Sequence, residues 1–199
     1  MESVKVYKKR VFVDNKALYL ESFNINSIDN IKHLNRIVNL RGLYLEKNNI
    51  SQISSLEKHV TLKKLHLEKN KVKEITGLDN LVNLEELELK GNQIEGIKGL
   101  QNLTNLRNLD LSMNCIRKIE GLSSLNKLES LDLSDNKIEK IEGLEGLIML
   151  KYLNLSENPI SEITGLRNLK NLQELKIKDT KIKNIPNLSY LPNLLKIIN

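Results

Sequence analysis

Seven residues recur at a fixed spacing of 22 along the chain: Tyr44, His66, Glu88, Asp110, Asp132, Asn154 and Lys176. Each lies between two aliphatic residues, as in Leu131-Asp132-Leu133. In a strand that alternation turns the aliphatic side chains to one face and the recurring residue to the other. Positions two residues away share the second face, which adds Glu86 and Tyr152 and, beyond the file, Glu46 and Glu68. The resulting surface is graded, with an aromatic and imidazole end, an acidic centre and a basic end at Lys176. Like charges directly opposite on a sheet repel, so sheet stability does not explain Glu88, Asp110 and Asp132 in file. An approaching basic protein surface would relieve that repulsion; solvation as ordinary surface charge is the competing account.

Sharper chemistry finds little support. Asp110 and Asp132 on a flat sheet lack the further oxygen ligands that a hard cation needs. His66 has no neighbouring Cys or Ser to activate. His59 falls where later repeats place Leu81, Leu103 and Leu125, and the expectation is that Val60 turns inward while His59 faces water. Cys115 follows Asn114 with no base beside it, and no glycine-rich phosphate loop is present. No catalytic residue, metal site or cofactor is therefore expected, and the chain is not read as an enzyme.

The net charge of +6 raises the question of nucleic acid. Residues 1–17 hold five basic residues against two acidic ones, and residues 172–199 do the same, so the ends account for the whole excess. Lys47, Lys69, Lys71 and Lys73 could form a basic edge, but Glu46, Glu68 and Glu74 oppose them. The sheet face offers only Tyr44 and Tyr152 for base stacking, whereas single-strand binders combine a positive groove with several aromatics. Nucleic acid is not expected as a partner. No apolar run is long enough to span a bilayer, and the leading residues lack the apolar segment of a secretion signal. With Cys115 as the single cysteine, these features suggest a reducing, cytoplasmic setting and no membrane association.

The elements that position this surface are set by the 22-residue period itself. Asn48, Asn70, Asn92, Asn114, Asn136 and Asn158 hold one slot, and Leu40, Leu62, Leu84, Leu106, Leu128, Leu150 and Leu172 another. Such a spacing matches neither a helix nor a simple strand. A strand that bends inward leaves backbone donors and acceptors with no ladder partner, and a buried Asn amide offers both functions. Stacked, these asparagines would form a structural ladder. Gly77, Gly99, Gly121, Gly143 and Gly165 precede the leucine of the return segment, where the backbone is expected to turn through a conformation awkward for a residue with Cβ. The first repeat is degenerate: counting back 22 residues puts Glu21 and Phe23 in the strand slots. In the eighth, Thr180 replaces the asparagine and Asn187 the glycine. A final apolar run, Leu194 to Ile198, would leave an open strand edge suited to weak self-association.

The phrase L-x-x-L-D-L-S-x-N-x-I-x-K-I-E-G-L, at residues 106–122 and 128–144, resembles the 22-residue class of leucine-rich repeats. That class includes the leucine-rich-repeat regulatory subunit of protein phosphatase 1 and the bacterial internalins. The resemblance implies an α/β solenoid: a right-handed coil of about eight repeats with a concave parallel β-sheet and short helical or irregular convex segments. It would comprise an N-terminal β-hairpin cap over residues 1–17, repeats over 18–193 and a partial repeat over 194–199. In those relatives the concave face grips another protein, which implies Tyr44, His66, Glu86, Glu88, Asp110, Asp132, Tyr152, Asn154 and Lys176 as contact residues. The expected function is a noncatalytic scaffold that binds a folded protein with a basic surface, in the manner of a regulatory subunit. The alternative is a repeat segment of a larger signalling or cell-surface adhesion protein.

Overall fold

A computed structural model describes residues 2–199. Nine short strands stack side by side into one parallel sheet. They are β3 (Ala17–Tyr19), β5 (Gly42–Tyr44), β6 (Lys64–His66), β7 (Glu86–Glu88), β8 (Asn108–Asp110), β9 (Ser130–Asp132), β10 (Tyr152–Asn154), β11 (Glu174–Lys176) and β12 (Lys196–Ile198). From β5 onward each strand pairs with the residue 22 places along, as in Leu109 with Leu131, so the coil length equals the sequence period. The chain forms a leucine-rich-repeat solenoid of about eight turns.

The interior is made from the apolar slots of every coil. Leu87, Leu89, Ile94, Leu100 and Leu106, for example, are fully buried. No coil could hide these side chains alone, because each presents two flat sides; only stacking removes them from water. Burial of one such side chain stabilises the fold by about 1.5–3 kcal/mol, and each coil contributes several.

The asparagines close the bend after each strand. Asn114 Nδ2 donates to the Leu111 and Ser112 carbonyls of its own coil, both at 3.0 Å, and to Leu89 of the preceding coil at 3.1 Å. Its Oδ1 accepts from the Ile94 N–H at 3.0 Å. The same set recurs at Asn48, Asn70, Asn136 and Asn158, and at Asn92 with Leu89 as the one own-coil carbonyl it reaches. A second column lies on the outside, where Asn83, Asn105 and Asn171 donate to the carbonyls of Val60, Val82 and Ile148.

The return segments are irregular, built from successive tight turns such as Leu81 N–H to Leu78 O and Leu84 N–H to Leu81 O, both 2.9 Å. Short 3-10 turns occur only at Ile28–Asn30 and Leu34–Arg36 among the described residues. At Gly143 the backbone has φ +68, and a Cβ there would run into the Ile119 carbonyl oxygen of the preceding coil.

The first coil departs from the sequence expectation. Leu18 pairs with Leu43 and Tyr19 with Tyr44, an offset of 25 rather than 22. The strand slots are therefore filled by Leu18 and Leu20, both fully buried, and not by Glu21 and Phe23. Ser22 and Lys47 share a positive φ, which places Phe23 in the slot held by Asn48 one coil later. The three additional residues fall in the return segment, where Ile28, Ile31 and Leu34 all reach the core. They also form β4 (Ile31–Lys32), to which the antiparallel hairpin of β1 (Ser3–Val6) and β2 (Lys9–Phe12) attaches through Val6 and Ile31. Val4 and Val6 join the common core.

His59 is a second correction. It is 0% exposed while Val60 is 46% exposed, so the imidazole, not the valine, takes the leucine slot. The coil geometry fixes which position points inward, whatever residue stands there. Burial pushes the His59 pKa down, with the Ile37 backbone and Glu57 opposing, and neither ring nitrogen makes a well-formed hydrogen bond.

Candidate functional site

Parallel pairing in register places Tyr44, His66, Glu88, Asp110, Asp132, Asn154 and Lys176 in one continuous file across the concave sheet. Glu86 and Tyr152 lie in the adjacent file with Lys64, Asn108, Ser130 and Glu174. Of these, Glu86, Glu88, Asp110, Asp132 and Tyr152 line one shallow depression of about 300 Å3. Tyr44 and His66 stand to one side of it; Asn154 and Lys176 stand to the other.

At the N-terminal side the file gains a residue that counting by 22 does not reach. Tyr19 stacks on Tyr44 with ring centroids 4.7 Å apart and planes 13° apart, and the His66 ring meets Tyr44 edge-on at 4.7 Å. Burial, then Tyr19, pushes the Tyr44 pKa up. Recognising Tyr19 required the 25-residue offset of the first coil.

His66 is enclosed by carboxylates. Its Nε2 donates to Glu86 Oε1 at 2.7 Å, while Nδ1 faces Glu46 Oε1 at 3.4 Å and Glu68 Oε1 at 3.7 Å. Burial alone would lower the His66 pKa, but Glu46, Glu68 and Glu86 outweigh it and the net shift is upward. Burial likewise pushes Glu86 up, and is overcome by Lys64, 2.7 Å from its other oxygen, together with His66; its pKa falls.

The acidic centre behaves differently. Burial, with the charges of Asp110 and Glu68, pushes Glu88 up to about 7. Burial also raises Asp110, against hydrogen bonds from Ser112. None of Glu88, Asp110 or Asp132 takes part in an ion pair among the described residues.

The aspartates nevertheless have local structural work, which corrects the view that sheet stability has no part in them. Asp110 Oδ1 accepts from the Ser112 N–H at 2.8 Å, and Asp132 Oδ1 from the Ser134 N–H at 2.9 Å. Asn154 does the same for Ser156 at 3.1 Å and donates to Asp132 Oδ2 at 2.9 Å. Side chains of this type satisfy a strand-end N–H that the ladder leaves open. At the basic end, Lys176 lies 5.0 Å from the Tyr152 ring centroid and 3.5 Å from Glu174.

Comparison with solved structures finds extensive similarity. Internalin C2 from Listeria monocytogenes superposes with a TM-score of 0.83 at 29% identity, covering 92% of this chain and 79% of that one. An internalin, InlF, from the same organism gives 0.67 at 28% identity, over 92% of this chain and 59% of its own length. The functional domain of InlJ from Listeria monocytogenes, at 22% identity, TM-score 0.63, and 90% and 42% coverage, shares the fold. Comparison with curated protein sequences yields no match. The profile for leucine-rich repeats in two copies matches residues 60–102, 82–124, 104–146 and 148–190. With the repeat matched over most of its length and realised as a parallel solenoid, the chain belongs to the leucine-rich repeat family.

Proposed function

We propose that the concave face binds a folded protein presenting lysine and arginine side chains, and that the chain acts as a noncatalytic scaffold. Leucine-rich repeats generally mediate protein binding, and their fold is typically noncatalytic. The observation that carries the finer reading is the contrast within the face. Glu86 is paired with Lys64 and His66, and Glu174 with Lys176, whereas Glu88, Asp110 and Asp132 have no basic neighbour within ion-pair distance. Uncompensated carboxylates in a depression concentrate negative potential and steer a basic partner. The backbone is already fixed by stacking, so little ordering cost is left for binding. A partner recovered by pull-down with mass spectrometry should bind Glu88→Lys/Asp110→Lys about tenfold more weakly and with a shallower salt dependence. Unchanged affinity and salt slope in that variant would move the interface off this face.

A second reading is favoured by the length of InlF, of which this chain spans 59%: a repeat segment within a larger signalling or adhesion protein. An antibody raised against residues 40–177 distinguishes the two, since a native band well above 22.9 kDa selects the segment. The outer strand β12, paired only with β11, also supports weak self-association of the 199-residue chain. Light scattering that stays monomeric at millimolar concentration would dispose of it.

A further inference from the structure

We infer that Glu46, His66 and Glu68 form a site for one divalent transition-metal ion of the zinc type, His66 coordinating through Nδ1 while Glu86 holds the proton on Nε2. This goes beyond the proposed partner surface and does not depend on it.

Three observations converge. The first is the orientation of the imidazole. Glu86 is a carboxylate kept ionised by Lys64, so at 2.7 Å it can only accept, and Nε2 must carry a proton. In the neutral ring that leaves the lone pair on Nδ1, directed at Glu46 and Glu68. A carboxylate holding the far nitrogen of a histidine is the arrangement that fixes tautomer and ring angle in metal sites.

The second is spacing. Nδ1 lies 3.4 Å from Glu46 Oε1 and 3.7 Å from Glu68 Oε1, beyond the usual N–H···O range of about 2.7–3.2 Å. Ligands held about 2.0–2.1 Å from a tetrahedral ion are separated by about 3.3–3.4 Å. The three side chains can offer ligand atoms that all lie within 4.8 Å of one another, so an ion needs only small rotamer adjustments.

The third is an unmet need on the protein side. Glu46 Oε2 and Glu68 Oε2 are buried and accept no hydrogen bond. Two carboxylates with buried, unpartnered oxygens gathered at one nitrogen of an imidazole carry a desolvation cost that a divalent cation would offset, since their two charges balance its own. The mixed nitrogen and carboxylate set suits zinc, whereas calcium and magnesium prefer oxygen alone. Three protein ligands leave a fourth position for water or an incoming side chain. The site is assembled across two coils, Glu46 from one and His66 with Glu68 from the next, so the local His66-Leu67-Glu68 pair is completed only by a carboxylate 20 residues earlier in the chain.

Calorimetric titration of the full chain with ZnCl2 tests the inference, with CaCl2 and MgCl2 as separate arms and Co2+ absorption as a geometric readout. One Zn2+ per chain is expected, with visible Co2+ bands of a four-coordinate site and at least tenfold weaker Ca2+ and Mg2+ binding. His66→Gln and Glu46→Gln should each weaken Zn2+ binding at least tenfold, and Glu86→Gln about tenfold through loss of the outer hydrogen bond. His33→Asn, on an exposed turn, should leave affinity unchanged. Metal-free melting curves identify any variant that has unfolded; Glu46 and His66 sit on different coils, so either variant alone suffices. Absence of stoichiometric Zn2+ binding would overturn the site and leave a protonated His66 as the counter-charge. Affinity unaffected by both substitutions, or Ca2+ bound as tightly as Zn2+, would overturn it equally.

Discussion

The first and the eighth coils both depart from the repeat, yet they end in opposite states. In the first, three additional residues and a hairpin leave Leu18, Leu20, Ile25 and Ile28 fully buried. In the eighth, Ile182 and Leu188 are only partly buried, Ile185 is 41% exposed, and Leu195 beyond it is 83% exposed. The rung of the asparagine ladder is also lost there: Thr180 Oγ1 donates to Ile177 O of its own coil at 2.9 Å, without the bond to the preceding coil that Asn158 makes to Leu133. Deviation from the motif does not by itself loosen a coil. A coil is tight when both of its flat sides are covered, and the first has the β1–β2 hairpin, joined through β4, on the side away from the second coil.

A charge on the covering hairpin should be the most damaging change at either end. Val6→Asp buries a carboxylate at a fully enclosed site and should cost about 3–5 kcal/mol, whereas Ile197→Asp in β12 should cost far less. Similar shifts in urea midpoint for the two would show that both ends are held equally firmly. Next, Leu18→Ala should cost about 2–5 kcal/mol and Leu188→Ala well under half of that, read by the same denaturation. Below these, Asn136→Ala strands several carbonyls and the Ile116 N–H and should cost about 1–3 kcal/mol; Thr180→Ala should lower the melting temperature only slightly.

The smallest effect concerns His59, which takes a leucine slot in the second coil. Its folded pKa is depressed below 6.5 by burial, so below 6.5 the unfolded chain binds a proton that the folded chain does not. Its contribution is therefore constant above 6.5, and stability is lost as pH falls from there toward the lowered folded value. His59→Leu should flatten that acid-side slope and raise the melting temperature at pH 5.5 more than at pH 7.5. Parallel pH profiles for the two proteins would count against a neutral, enclosed imidazole.

Much of this architecture was legible in the residues because a solenoid repeats its constraint. The columns of leucine and asparagine from Leu40 onward fix coil length, strand position and which residues share the concave face. What could not be read was any place where the period changes or where two coils meet through side chains. The degenerate slots of the first coil carry no mark of its 25-residue offset, and a period of 22 therefore misplaces Leu18 and Leu20 and does not reach Tyr19. The polarity of His59 argues for an outward side chain, but position in the coil decides the matter and the ring is buried. The grouping of Glu46 with His66 depends on contact between coils, which spacing alone does not convey. The outer asparagines at Asn83, Asn105 and Asn171 stand in a column that Lys127 and Met149 interrupt, so the spacing marks them less clearly than the inner ladder.

Six nearly interchangeable turns would, left to themselves, dock equally well if the whole stack slid by one unit, and such a shift would forfeit only a single interface. Because β1 fits β4 and β4 exists only where three residues have been added, the hairpin recognises one turn and no other. That mismatch acts as a zero mark, giving a chain of look-alike parts a unique place from which to begin counting.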